Sequence, residues 1–157
     1  MVRIRMHAAL RRIMTQTKKQ RVICLIIFTL YILTVLYLTI FRFNFWYSER
    51  KLNLTLFVSL IKVFRNADIG EFLRLLLGNI GWFVPFGFLF PILLKRKNPF
   101  ITICAGLLFS IFIEVTQFVS YKGVAELDDL ILNTLGAAVG YLLYWFLRRL
   151  SSTGVRA

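Results

Sequence analysis

The acidic residues are the side chains of this 157-residue chain with the clearest capacity for chemistry. Several lie inside or beside long apolar runs, where a charged group that faces hydrocarbon at a helix centre costs about 3 kcal/mol. A carboxylate kept at such a position faces a partner or water, and it serves binding, proton transfer or a helix contact. The seven are Glu49, Asp68, Glu71, Glu114, Glu126, Asp128 and Asp129.

The spacing of these groups predicts two polar helix faces. Glu114 and Gln117 are three residues apart, which places them on one face of a helix, one turn from each other. Asn133 follows Asp129 by four residues and falls on the same stripe of a second helix. Together with Asn79 from an earlier apolar run, these side chains are expected to lie at the same level along their helices. They form a candidate polar binding pocket made of Asn79, Glu114, Gln117, Glu126, Asp128, Asp129 and Asn133.

Several other chemistries lack the residues they need. The chain has one histidine, His7, in a basic leading segment, so a Ser-His-Asp set cannot form. It has no His/Cys cluster for a metal, no glycine-rich phosphate loop and no dinucleotide fingerprint. We therefore predict no metal and no cofactor. If the chain is an enzyme, the candidate catalytic residues are Glu114 and Asp129, acting as acid and base.

Composition indicates which elements must position these residues. Hydrophobic residues make up 59% of the chain, against about 45–50% in a soluble domain. An apolar helix of about 20 residues spans the hydrocarbon core of a bilayer. We predict an all-α, multi-pass membrane protein with four transmembrane helices in one bundle. The four apolar runs are residues 22–41, 75–94, 99–120 and 129–147.

The distribution of charge predicts the orientation. Cations without a carboxylate occupy the leading segment, the turn between the second and third runs, and the tail. By the positive-inside rule, both termini lie in the cytoplasm and the acidic residues on the outer side. The net charge of +13 then reflects topology and attraction to anionic lipid headgroups, and nucleic acid is not an expected partner. The expected division is a basic arm, residues 1–21, a membrane domain, residues 22–147, and a basic tail, residues 148–157.

Glycines and a proline mark where the helices are expected to pack or bend. Gly136 and Gly140 form a GxxxG pattern, which permits close approach of another helix. Pro85, followed by Gly87, removes a backbone hydrogen bond and is expected to kink the second spanning helix. The first outer loop, residues 42–74, has apolar residues at mixed spacing, so helical and extended conformations both fit in part. It forms either a short surface or re-entrant helix or a loop packed on the helix ends.

Four short segments carry most of these polar and glycine residues. They are NLTLF at residues 53–57, NIGWFVPFGFLFP at 79–91, EVTQ at 114–117 and DDLILNTLGAAVGY at 128–141. The last three, in this order, resemble the signature motifs of the VanZ-like family, and the first is similar to a segment of its outer loop. The chain departs from that segment at Leu56, where the family usually has proline.

The resemblance implies a small multi-pass protein of the bacterial plasma membrane. The founding member of the family is associated with low-level resistance to teicoplanin, a lipoglycopeptide that binds cell-wall precursors outside the cell. The expected function is to influence how the cell envelope meets glycopeptide or lipoglycopeptide antibiotics through the outward-facing polar pocket. The expected partners are membrane lipid and either a cell-wall precursor or the lipoglycopeptide itself.

Two other functions stay open at this point. An intramembrane enzyme acting on an envelope lipid or wall precursor would use Glu114 and Asp129 as acid and base. A small-molecule transporter also fits four spans with a membrane glutamate, although the carboxylates gather at one end and no inverted repeat links the halves. The balance favours a protein that is not an enzyme, and the sequence leaves the oligomeric state open.

Overall fold

The computed structural model describes residues 18–41, 47–66, 68–95 and 98–153. Within these residues, four helices are long and apolar enough to cross a membrane, which confirms the predicted all-α fold with four spans. Most of the basic arm and the last residues of the tail lie outside the described residues. The division into arm, domain and tail, and the orientation with both termini in the cytoplasm, stay predictions.

The helices follow one another with two short strands in the loops at the acidic end. The elements in chain order are α1 (Lys18–Leu36), β1 (Lys51–Asn53), α2 (Val58–Arg65), α3 (Ile69–Leu94), α4 (Pro99–Ser120), β2 (Val124–Glu126) and α5 (Leu127–Thr153). The spanning helices α1, α3, α4 and α5 correspond to the four apolar runs, and α1 continues beyond its last residue as a short π-helical turn, Tyr37–Phe41.

Side-chain caps begin two of the spanning helices. The Asp68 carboxylate accepts a hydrogen bond from the backbone N–H of Glu71 at 3.0 Å at the start of α3. The Asn98 side-chain oxygen accepts from the backbone N–H of Phe100 at 2.9 Å, and Pro99 occupies the first turn of α4. Both caps supply partners for N–H groups that have none inside the helix.

The glycines let α3 and α5 pack with their backbones in contact. A Cβ placed at Gly136 or Gly140 would overlap backbone carbonyl oxygens of α3, and a Cβ at Gly87 would overlap the backbone of Ala137 on α5. Since only glycine leaves room for such an approach, the GxxxG face of α5 is covered by α3 of the same chain.

An aromatic core lies between the four spanning helices. The ring of Phe86 stacks on Phe90 with centroids 5.1 Å apart and on Phe109 with centroids 5.6 Å apart. Such pairs add about 0.5–1.5 kcal/mol each to the effect of burial. The buried members of this core are Val35, Phe83, Phe86, Ile113 and Ala137.

The turn of α3 around Pro85 receives a side chain from α1. α3 runs as one helix through Pro85 and Pro91. The hydroxyl of Tyr31 donates to the backbone carbonyl of Trp82 at 2.5 Å. Pro85 has no N–H for the carbonyl four residues back, which is that of Gly81, the neighbour of Trp82. The Tyr31 hydroxyl therefore fastens α1 to the turn of α3 that precedes Pro85.

The first outer loop adopts both conformations that its mixed pattern suggested. β1 pairs in parallel with β2, with Lys51 opposite Val124 and Asn53 opposite Glu126. α2 follows β1 after a short turn. The strand pair joins the loop before α2 to the loop between α4 and α5, because each strand supplies the hydrogen-bond partners that the other would lack. The position of α2 relative to the membrane surface stays a prediction.

Candidate functional site

One face of α4 presents two buried polar side chains, Glu114 and Ser110, which are one helical turn apart. The Glu114 side chain is 6% exposed, and its Oε2 accepts a hydrogen bond from the backbone N–H of Glu126 at 2.9 Å. Ser110 is fully buried, and its Oγ accepts from the Nδ2 of Asn133 at 2.9 Å. Buried hydrogen bonds are strong, and leaving one partner unpaired is costly. These two contacts therefore fix α4 against β2 and α5.

The third helix reaches the same place through Asn79. The Nδ2 of Asn79, on α3, donates to the Oδ1 of Asp129 at 2.5 Å. Asp129 lies in the first turn of α5, and Asn133 lies one turn further along the same face. The structure thus brings Asn79, Glu114, Asp129 and Asn133 from three helices to one end of the bundle.

Asp128 is hydrogen-bonded to the loop that precedes α2. It is 4% exposed, and its carboxylate accepts from the backbone N–H of Phe57, with N–O distances of 2.8 and 3.0 Å to the two oxygens. Phe57 has a φ of 56°, in the left-handed region, and immediately precedes α2. That conformation is uncommon for a residue other than glycine. A charged acceptor makes the hydrogen bond stronger, so Asp128 holds this strained residue and the start of α2 against α5.

Gln117 is directed toward α1. Its Nε2 donates to the backbone carbonyl of Thr39 at 2.9 Å. Its Oε1 is buried and, within the described residues, has no hydrogen-bond partner. The side chain also packs against Gly123, where a Cβ would meet it at 3.0 Å. Gln117 therefore positions the end of α1 and the loop after α4, and the structure does not place its amide with the carboxylates.

Four carboxylates lie close together around the start of α5. Glu114 is within electrostatic range of Asp129 and Glu126, and Asp129 is within range of Glu126 and Asp128. Like charges at short distance repel each other. The hydrogen bonds described above, from two backbone N–H groups and one side-chain amide, offset part of this repulsion. Such a cluster can accept hydrogen bonds or a cationic group from a ligand, or exchange a proton.

The carboxylate cluster does not have the arrangement of a metal site. Among the described residues, no three His, Cys, Asp or Glu side chains are placed so that they could hold one ion. Asn53 shares the cluster, since its Nδ2 donates to Glu126 Oε1 at 3.5 Å. Each of the four carboxylates thus has at least one oxygen bound by a backbone or amide donor from α3 or from the loops at the acidic end.

An apolar groove of about 280 Å³ opens beside the carboxylates. It lies between α4, the start of α5 and the strand pair. Glu114 and Glu126 take part in its wall, and the rest of the wall is apolar. Such an apolar recess beside a few polar groups is the usual form of a small-molecule site. The apolar wall includes Leu52, Ile111, Val115, Phe118, Ala125 and Leu130.

Comparison with known proteins assigns the chain to a family. A model of the VanZ/LLP1 family matches residues 28–148. The chain belongs to the VanZ/LLP1 family. It is 31% identical over 121 residues to Protein VanZ of Enterococcus faecium, and the alignment covers 73% of this chain and 69% of that protein. No solved structure shows significant similarity to the chain. The family match includes every candidate pocket residue, and it confirms the resemblance seen in the motifs.

Sequence reasoning missed two parts of this site. Ser110 was detectable, since it lies four residues before Glu114 and therefore on the same helix face. The backbone N–H of Phe57 was not, because every residue except proline carries that group and only the fold brings one of them to Asp128. The predicted pocket residues are placed as described, and their roles in binding stay predictions.

Proposed function

We propose that this protein is a non-enzymatic protein of the bacterial plasma membrane that alters the binding of lipoglycopeptides such as teicoplanin to the cell envelope. It would act by binding the apolar chain of an envelope amphiphile, either a lipid-linked wall precursor or the lipoglycopeptide itself. The observation that carries the proposal is the apolar groove beside the carboxylate cluster. Membership of the VanZ/LLP1 family supports it, and so does the predicted outward orientation of the acidic end.

The hydrogen bonds of the carboxylates support an architectural role for them. Glu114 accepts from the backbone N–H of Glu126, and this holds β2 against α4. β2 contributes Ala125 and Glu126 to the wall of the groove. Asp128 holds the loop between β1 and α2 by the same kind of contact. The motif residues thus form the frame of the groove, and the groove itself offers an apolar surface that suits a hydrocarbon chain.

The test fills the groove without touching its frame. Val115→Trp places a large ring in the groove, because Val115 lines it. Val119→Trp is the matched control: Val119 is one turn further along α4, has nearly the same exposure (56% against 53%) and does not line the groove. Each protein is expressed in a teicoplanin-susceptible bacterium. Binding of fluorescent teicoplanin to intact cells and the inhibitory concentration are then measured against an empty vector.

The wild type and Val119→Trp should reduce teicoplanin binding, and Val115→Trp should not. A glycopeptide without an acyl chain should show a smaller effect than teicoplanin. Equal behaviour of the two tryptophan variants, at equal expression, would refute the role of the groove. A wild type with no effect on either drug would refute the function itself.

A second candidate function is favoured by the proximity of Glu114 and Asp129. A buried and a partly buried carboxylate from adjacent helices, within electrostatic range of each other, are a possible acid and base for an intramembrane reaction on an envelope lipid. Glu114→Gln separates the two functions, since it keeps the shape and removes the proton that an acid or base must exchange. A variant that retains the full effect on teicoplanin would exclude proton transfer by Glu114.

A further inference from the structure

A second and larger groove, of about 770 Å³, lies at the other end of the bundle. It runs between the first turns of α4 and the stretch of α5 from Ala138 to Arg149. The end of the groove nearer the centre of the bundle is apolar and is lined by Ile103, Ala138 and Leu142. The other end, here called the mouth, is lined by two tyrosines, a tryptophan and two arginines, namely Tyr141, Tyr144, Trp145, Arg148 and Arg149.

The two arginines at the mouth are held by aromatic neighbours. The Nη1 of Arg148 donates to the hydroxyl of Tyr144 at 2.9 Å. The guanidinium of Arg149 lies over the ring of Trp145, 5.3 Å from its centroid. A guanidinium presents a planar fork of N–H donors that matches the oxygens of a phosphate. The groove therefore combines positioned phosphate-binding groups with an apolar floor.

The charge around this groove is of one sign. None of the residues that line it is acidic. Asp129, at the start of α5, is separated from Arg148 by about 28 Å of helix, from the rise per residue. That length is close to the thickness of the hydrocarbon core, about 30 Å. The carboxylate cluster and the arginine pair therefore lie near opposite faces of the membrane.

The dimensions of the groove match one leaflet of the bilayer. From Ala138 to Arg148 the helix rises about 15 Å, half of the hydrocarbon thickness. With the arginines at headgroup level, Ala138 lies near the middle of the membrane. Tyrosine and tryptophan prefer the interface between these two zones. A molecule seated here would meet charge, then aromatic rings, then hydrocarbon, which is the sequence of groups along a phospholipid.

We propose that this groove is a binding site for an anionic phospholipid. The phosphate lies on Arg148 and Arg149, and an acyl chain runs along Ile103, Ala138 and Leu142. Basic pockets between spanning helices are suited to acidic lipid headgroups. This site is separate from the apolar groove beside the carboxylates, and it does not depend on the function proposed for that groove.

The test measures lipid selectivity of the full-length protein in nanodiscs. Discs are made from phosphatidylcholine with a minor fraction of phosphatidylglycerol, and lipid retained on the protein after extraction is counted by native mass spectrometry. Arg148→Gln/Arg149→Gln removes both charges at the groove. Lys18→Gln/Lys19→Gln, at the start of α1, removes the same charge at the same predicted face and outside this groove. Ala138→Leu fills the apolar end of the groove, which Ala138 lines, without any change of charge.

The wild type should retain phosphatidylglycerol over phosphatidylcholine, and the arginine variant should lose about 30-fold in that preference if each arginine acts as an ordinary interfacial charge. The lysine variant should keep the preference. Ala138→Leu should lose the retained lipid although it keeps every charge, and its thermal stability in detergent verifies that it is folded. Excess inorganic phosphate should not displace the lipid.

Three results would overturn the proposal. An equal loss in the lysine and arginine variants would show general attraction to the surface. Undiminished retention in a folded Ala138→Leu would show that the groove holds no chain. Displacement by inorganic phosphate would show a simple anion site.

Discussion

The contact between α3 and α5 can be tested at a single glycine. Gly140 has no room for a side chain, because a Cβ there would overlap the backbone carbonyl oxygen of Val84 on α3. Gly140→Ala therefore forces two helix backbones apart. Gly81 is the matched control, since a Cβ at that position meets nothing within 4 Å and the residue is likewise inside a spanning helix.

The expected size of the effect follows from two opposed contributions. Replacing a helical glycine by alanine stabilises the helix by about 0.5–1 kcal/mol, and both variants receive this gain. Overpacking against an unyielding backbone costs about 1–3 kcal/mol, and only Gly140→Ala incurs it. Gly81→Ala should thus equal or exceed the wild type in stability. Gly140→Ala should be less stable than Gly81→Ala by about 1–3 kcal/mol.

The free energy of unfolding can be measured by titrating the purified protein from mild detergent into sodium dodecyl sulfate and following helix content by circular dichroism. The molecular mass in detergent is recorded for both variants. Gly140→Ala should unfold at a lower dodecyl sulfate fraction without any change of mass. If it unfolds together with Gly81→Ala, the helices are not in backbone contact. If it changes the mass and not the stability, the GxxxG face joins two copies of the chain.

Three further predictions concern the acidic end and the topology. Asp128→Asn removes the charged acceptor of the Phe57 backbone N–H, so it should weaken the outer loop by about 1–2 kcal/mol, measured as faster hydrogen exchange at residues 54–66. Ser110→Ala and Asn133→Leu should show a coupling of about 1 kcal/mol in a double-mutant cycle of unfolding. A cysteine at Lys122 should react with a membrane-impermeant thiol reagent in intact cells, and one at position 96, which lies outside the described residues, should not.

Each of these predictions has a control. For Asp128→Asn the control is Asp68→Asn, which likewise removes a charged acceptor of a backbone N–H. Asp68 caps α3, so hydrogen exchange at residues 54–66 should stay unchanged. Thr134→Val is next to Asn133 and loses only a bond to its own helix, so a cycle with Ser110→Ala should show no coupling. The native Cys24 and Cys104 are replaced before labelling. Reaction of the cysteine at position 96 in intact cells would reverse the predicted orientation.

Much of the fold followed from patterns that act locally. An apolar run of about 20 residues has few stable conformations in a membrane other than a helix, so the four spans could be predicted, although α3 begins at Ile69 and α5 ends at Thr153, both beyond the predicted runs. The outer loop was different, because its mixed pattern suited both helix and strand. The structure divides it into β1 and α2, and that division depends on pairing with β2, which lies far along the chain.

The candidate site was only partly predictable for the same reason. Helical spacing placed Glu114 on one face of α4 and Asp129 with Asn133 on one face of α5, and the order of motifs indicated the family. The direction of Gln117 toward α1 could not be predicted. A spacing of three places two side chains on roughly the same face of a helix, but it does not say which neighbouring element each of them contacts.

By itself, the sequence determined the membrane class, the four spans, the segregation of charge between the two ends and the membership of a family. These depend on composition and on short-range periodicity, which the chain carries whatever its fold. Only the tertiary structure decided that the GxxxG of α5 receives α3, that Tyr31 enters the turn at Pro85, and that two grooves open at opposite ends. Each of these depends on the distance between atoms remote in sequence, and that distance is set by how the helices pack.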